Sequence, residues 1–238
     1  MNPVLERILR TKIVSNGKDE QPLRGWMDEA ECDLIRRAIE SCDAKVGIEV
    51  GLAHGTSALC AIDAMKAKHE DAQHHVIDPQ QTTGTWEGIG VRNLQEAGFK
   101  SNYTLIERGS EVALPELYDK GLRVDVAIID GVHTLDHTMI DFFYINRMLK
   151  VGGVVIIDDA NWPGVNKALR YFAGYPCYRI FDSANVSEET RPILDRLLNQ
   201  ESNSDVDWGD IDGGIFGSAT CLKKIDADRR KWDYWREF

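Results

Sequence analysis

Between Val124 and Pro163 two short apolar runs, Val126 to Ile129 and Val154 to Ile157, flank a helical pattern, and each run stops on aspartate. Unbroken apolar runs of this length suit strands that are covered on both faces. Ile140, Phe143, Tyr144, Met148 and Leu149 recur between them at helical spacing, and Gly152-Gly153 is expected to end that helix. A strand, a helical crossover and a second strand make the two strands parallel, since the chain must return before it can pair again in the same direction. In such sheets ligands bind beyond the carboxyl ends of the strands. Asp130, Asp158 and Asp159 are therefore expected at one rim, where their repulsion calls for a shared proton or a cation.

The alternation begins earlier. From Val46 onward short strands (Val46 to Val50, His74 to Ile77, Tyr103 to Glu107) alternate with helical patterns, the signature of a doubly wound α/β sheet with helices on both faces. After Pro163 come a helix from Val165 to Phe172, a strand near Cys177 to Phe181 and a helical pattern from Glu188 to Leu198. The stretch from Gly213 to Leu222 reads as a last strand, antiparallel to its neighbour. Residues 1–43 carry two helical patterns, Pro3 to Val14 and Asp28 to Ser41, the second opened by Asp28 and Glu31 as a capping box. No Gly/Ser/Pro-rich linker divides the chain, so one domain is expected over 1–238: a helical cap (1–43), a core (44–225) and an aromatic tail (226–238).

A formal net charge of -11 favours a small-molecule partner over nucleic acid or an anionic membrane, unless a local basic patch is hidden in the average. Five scattered cysteines suit a reducing cytoplasm better than a disulfide framework or a zinc site. No stretch reaches membrane-spanning length, and the charged start lacks a signal-peptide core, so a cytoplasmic protein is expected.

Two features bear on the ligand. Gly51-Leu52-Ala53-His54-Gly55 links a strand to a helix, and a glycine turn at a helix N-terminus lets backbone N–H groups approach an anionic ligand. Any α/β protein can use glycine there for geometry alone, but the turn lacks the G-x-G-x-x-G of dinucleotide sites, which counts against a nicotinamide-dependent dehydrogenase. Asp78 ends the second strand, a position suited to ribose hydroxyls. His74 and His75, at the other end of that strand, are expected at a solvated entry.

Taken in order from Val46 to Leu222, these residues resemble the class I S-adenosylmethionine-dependent methyltransferases, in particular the small metal-dependent O-methyltransferases of the catechol and macrolide-sugar type. The resemblance implies a Rossmann-like, mostly parallel seven-stranded sheet. It places Glu49, Gly51, His54, Gly55, Thr56 and Ser57 in the motif that holds the methionine part of the cofactor. It also implies Asp78 at the ribose, Gly109 and Ser110 at adenine, and Asp130 near both cofactor and metal. Asp130, Asp158 and Asp159 fall where the metal-dependent branch has its cation ligands, with Mg²⁺ as the expected ion. Two departures stand out. Asp159 replaces the asparagine of catechol-type enzymes, and His133 stands where those enzymes have lysine, as it does in the macrolide-sugar branch.

The implied acceptor is a hydroxyl of a small molecule, a phenol or a sugar. A neutral imidazole at His133 could take its proton near physiological pH, while a divalent cation lowers the hydroxyl's pKa. Against this stand a metal-independent or non-catalytic cofactor-binding protein, with Asp130 and Asp159 merely capping helices and His133 packing in a first turn. His137 reads as a surface or supporting residue; Trp26, Trp86 and Trp162 are candidates for an aromatic wall. The acidic run 199–212 reads as a solvated loop or a lid, and the tail KWDYWREF suits covering an edge or a contact in a homo-oligomer.

Overall fold

The computed structural model describes residues 1–199, 206–207 and 213–234. Helix α1 (Pro3–Thr11) starts on the Asn2 side chain, which accepts the Val4 N–H, and buries Val4, Leu5, Ile8 and Leu9. It stops sooner than the apolar pattern suggests. Lys12 turns left-handed (φ 55°), and the β-branched Ile13 and Val14 enter a hairpin, β1 (Ile13–Ser15) with β2 (Glu20–Pro22), closed by Asn16-Gly17. Helix α2 (Glu29–Glu40) begins with the expected capping box of Asp28 and Glu31.

Then follow β3 (Val46–Val50), α3 (Thr56–Lys66), β4 (Gln73–Ile77), α4 (Ile89–Glu96), β5 (Tyr103–Ile106) and α5 (Ser110–Asp119). The central unit is β6 (Val124–Ile129), α6 (Leu135–Met148) and β7 (Leu149–Ile157). The chain closes with α7 (Pro163–Ala173), β8 (Tyr178–Ala184), α8 (Arg191–Leu198), a 3₁₀ turn over Gly213–Phe216 and β9 (Ala219–Lys224). The seven-stranded sheet has the order β5-β4-β3-β6-β7-β9-β8, parallel from β5 through β7, with β9 antiparallel to both its neighbours.

Period-two alternation divides the core. Val126, Ile128, Val154 and Ile156 face the layer that includes α1, α2 and α3, whereas Ala127, Ile129, Val155 and Ile157 face α5, α6 and α7. On that second face the Phe142 and Phe172 rings stack 3.7 Å apart, joining α6 to α7. Two expected boundaries move. Gly152-Gly153 does not end the crossover helix: α6 stops at Met148 and passes straight into β7, with Gly152 inside the strand at φ 90°. The last strand starts at Ala219, because Gly213 to Phe216 coil into the 3₁₀ turn.

The tail docks on its own chain as far as it is described. The Arg230 guanidinium lies 3.1 Å from the Tyr175 ring centre and the Tyr234 hydroxyl donates to the Gly174 carbonyl. Residues 235–238 and most of the acidic run 199–212 lie outside the described residues. Among the described residues, no helix is long and apolar enough to cross a membrane.

Candidate functional site

A cavity of about 410 Å³ opens beyond the carboxyl ends of β3, β4 and β6 and the start of α5. Its walls come from the glycine turn (Val50, Gly51, Ala53), from Ile77 to Gln80, from Gly109 to Glu111, and from Asp130 to Val132, with Trp86 and His137 at the edges. Gly51 is there of necessity. Its φ is +91°, and a Cβ on it would sit 1.9 Å from the Asp130 carbonyl oxygen, so the β3 turn and the end of β6 touch only because the side chain is absent.

Asp78 is buried and holds the turn in shape. Its Oδ2 accepts the Leu52 and Ala53 N–H groups, each at 3.1 Å, and the Gln81 amide, while Oδ1 accepts the Gln80 N–H at 2.8 Å. The expected ribose acid thus lines the cavity and also shapes its floor. Gly109, Ser110 and Asp130 likewise line the cavity.

Glu49, His54, Gly55, Thr56 and Ser57 lie behind the turn, outside the cavity lining. The Glu49 carboxylate is fully buried, receives the Ser57 hydroxyl and lies 2.9 Å from His74 Nε2. His74 is therefore buried at the heart of the sheet, not at a solvated entry: the glycine at Gly47 leaves room for its ring, and the buried Glu49 supplies its polar partner. His54 accepts the Arg24 N–H at Nδ1, and Thr56 Oγ1 accepts the Met27 N–H. Burial, then the nearby Arg24 charge, pushes the His54 pKa down to about 4, leaving a neutral ring. These bonds strap the segment before α2 to the glycine turn.

The three aspartates do meet at the rim. The Asp130 and Asp158 carboxyls hydrogen-bond each other. Burial, then Asp158 and Glu49, hold Asp130 well above the usual carboxylate range, and burial with Glu31 and Asp159 pushes Asp158 up to about 7. Asp159 occupies the left-handed region (φ 48°), and its carboxylate lies 3.4 Å from His133 Nε2, with Asp130 at 3.7 Å from the same nitrogen. Burial lowers the His133 pKa, partly offset by Asp159. Neither acid caps a helix: Thr134 precedes α6 and Trp162 precedes α7. The Trp162 ring sits 5.4 Å from that of His133 and is half exposed, as is Val132.

A fourth carboxylate joins them. Glu31, which the sequence assigns only to a capping box, makes that cap and also hydrogen-bonds Ser218 while its charge raises Asp158. No local signal marks it, because α2 reaches the rim only through tertiary packing. The oxygens suit a hard divalent cation in kind. In arrangement the raised pKa values of Asp130 and Asp158 favour a proton shared between them, and among the described residues no three His, Cys, Asp or Glu side chains converge as a ready metal cage.

Residues 48–160 match the family model described as a methyltransferase domain. The match covers just under half of the chain. Solved structures share the fold over more of the chain. The O-methyltransferase TomG of Streptomyces achromogenes, involved in tomaymycin synthesis and solved with SAM, aligns with TM-score 0.65 and 15% identity over 95% of this chain and 91% of its own. An O-methyltransferase of Bacillus cereus solved with SAH gives 0.59 and 14% over 76% and 83%, and a putative O-methyltransferase of Klebsiella pneumoniae gives 0.56 and 19% over 76% and 82%. At these identities the likeness speaks to fold. No curated protein matches the chain in sequence.

Within the matched stretch, Asp141 supports the cavity wall from behind. It is buried on α6, hydrogen-bonds Ser110, and has one oxygen without a partner. Burial pushes its pKa up to about 6. A carboxyl whose folded pKa is raised favours the protonated folded state, so its contribution is full below the unfolded pKa and is lost as pH rises through about 6. Asp141→Asn is therefore expected to melt above the parent at pH 8, by on the order of 2 kcal/mol, with the gap closing towards pH 4. Thermal melts across that range check it; a gap that widens on acidification would reverse the sign.

Proposed function

We propose that the protein is an S-adenosylmethionine-dependent O-methyltransferase acting on a hydroxyl of a small molecule, a phenol or a sugar. The observation that carries this reading is the cavity formed by the glycine turn, Asp78 and Ser110, which reaches Asp130 of the acidic rim, beside His133. The bound cofactor supplies a methyl group already activated by a sulfonium. The protein must then align the acceptor oxygen and remove its proton. His133 is the base: burial keeps its imidazole neutral, and its Nε2 takes the acceptor proton while Asp159 offsets the positive charge that develops. The half-exposed Trp162 and Val132 beside His133 offer a face for the acceptor's ring.

Asp130, Asp158 and Asp159 would hold a divalent cation, Mg²⁺ by donor type, whose charge favours loss of the acceptor proton. The hydrogen bond between Asp130 and Asp158 favours a second reading, in which the pair keeps a proton and transfer needs no metal. Thermal shift with S-adenosylhomocysteine, in Mg²⁺ and in EDTA, separates them. At a hundredfold excess over Kd the ligand adds about 2.7 kcal/mol, and a Mg²⁺ increment that vanishes in Asp158→Ala supports the metal. Stabilisation indifferent to metal favours the second reading, and stabilisation by NAD⁺ alone would overturn both.

A further inference from the structure

The methyltransferase cavity lies at the carboxyl ends of the parallel strands; the opposite pole has a different character. Here the start of β7, the end of α6 and the segment after β9 enclose a cavity of about 570 Å³, walled by Arg147, Lys224, Arg230, Lys231, Tyr171 and Trp232. Around it large apolar side chains stand in solvent: Trp232 is 97% exposed, Val151 57% and Phe143 48%. They alternate with cations. Arg147 lies 3.5 Å from the Phe143 ring centre, Phe143 packs edge-on against Tyr144, Tyr144 meets Tyr118, and Arg123 lies over Tyr118 at 5.9 Å.

Three of the nearby acids are engaged, whereas Asp233, next to Trp232, is exposed. Asp125 pairs with Lys150 at 2.7 Å, Asp228 with Arg230 at 2.7 Å and Asp226 with Arg229 at 3.6 Å. Among the described residues, no carboxylate pairs with Arg123, Arg147 or Lys231. A net charge of -11 averages over this face and conceals it.

We propose that this pole is a docking surface for an anionic lipid bilayer, with Trp232, Phe143 and Val151 entering the headgroup layer and Arg123, Arg147 and Lys231 meeting lipid phosphates. Charge complementarity selects an anionic occupant, and a second copy related by a two-fold axis would set these cations against themselves. A protein interface would present a contiguous apolar centre depleted of charge. This face instead interleaves separate protruding side chains with lysine and arginine, as amphipathic surfaces do at membranes. Docked this way, the acidic rim and its cavity face away from the bilayer.

The test is co-sedimentation of the full chain with vesicles of phosphatidylcholine alone and of phosphatidylcholine mixed with phosphatidylglycerol. Binding to the mixed vesicles only is expected, and it should fade in molar salt as the Debye length falls to about 3 Å. Lys231→Gln should weaken it about fivefold, the effect of one cation near an anionic surface, and Trp232→Ser should weaken it further. A vesicle-induced blue shift of tryptophan emission should disappear in Trp232→Phe. Equal binding to both vesicle types, binding to neither, or binding to mixed vesicles that survives both substitutions overturns the proposal. Retention on a polyglutamate resin without vesicle binding would also overturn it, assigning the face to an acidic protein segment.

Discussion

A Gly51→Ala variant is expected to lose S-adenosylhomocysteine binding and to melt about 10 °C below the parent. Two costs add at this residue. The left-handed φ of +91° is unfavourable for any residue with a Cβ, and the new methyl would meet the Asp130 carbonyl oxygen at 1.9 Å. That neighbour is backbone at the end of a central strand, so relief requires β3 and β6 to separate at the cavity floor. Strain and overpacking together come to about 3 kcal/mol, and each kcal/mol moves the melting temperature by roughly 2–4 °C in a domain of this size. Gly88→Ala is the control: its φ is +72°, but nothing lies within 4 Å of a built Cβ, so only the smaller backbone cost of about 1–2 kcal/mol applies. Calorimetric titration of both variants decides the matter. If Gly51→Ala binds the ligand as the parent does, the cavity is not the cofactor site.

His133→Ala should cut turnover by about 10²- to 10⁴-fold, the range for losing a positioned base. Affinity for S-adenosylhomocysteine should remain, because His133 stands at the rim beside Asp159 and Trp162 and does not line the proposed cofactor cavity. In the parent, turnover should be level above pH 6.5 and fall in acid, since a base with a lowered pKa loses its function only once it is protonated. The alanine variant should lack that acid limb. Full activity in His133→Ala, or an unchanged pH profile, would remove His133 as the base and leave the rim without an assigned proton acceptor.

The rim also explains why the N-terminal cap belongs to the site. Arg24 and Met27 bond to the glycine turn through His54 and Thr56, and Glu31 adds its charge to the aspartates. Changes in the cap should therefore reach the proposed cofactor cavity, although none of its residues lines it.

Periodicity alone was enough to place β6, α6 and β7 and to put Asp130, Asp158 and Asp159 at one edge, because parallel strands joined by a crossover must end on the same side. The same local rule located the glycine turn and Asp78, the family resemblance added Ser110, and Gly51, Asp78 and Ser110 line one cavity. What local pattern cannot carry is which side of a turn a residue faces and what distant segment lies against it. Glu49, His54 and Thr56 share the motif with Gly51, yet they turn inward to His74, Arg24 and Met27, partners 25 to 30 positions away along the chain, and Ser57 donates to Glu49. Hydrophobic spacing likewise led α1 on to Val14, where a hairpin forms because Lys12 turns left-handed and Asn16-Gly17 closes the strands. Glu31 reached the rim, and the basic pole gathered Arg123, Arg147 and Lys231 from three separate elements, only when the sheet closed. Sequence determines the direction in which each strand presents its end; three-dimensional packing decides which charges then become neighbours, since electrostatic coupling depends on distance in space and not along the chain.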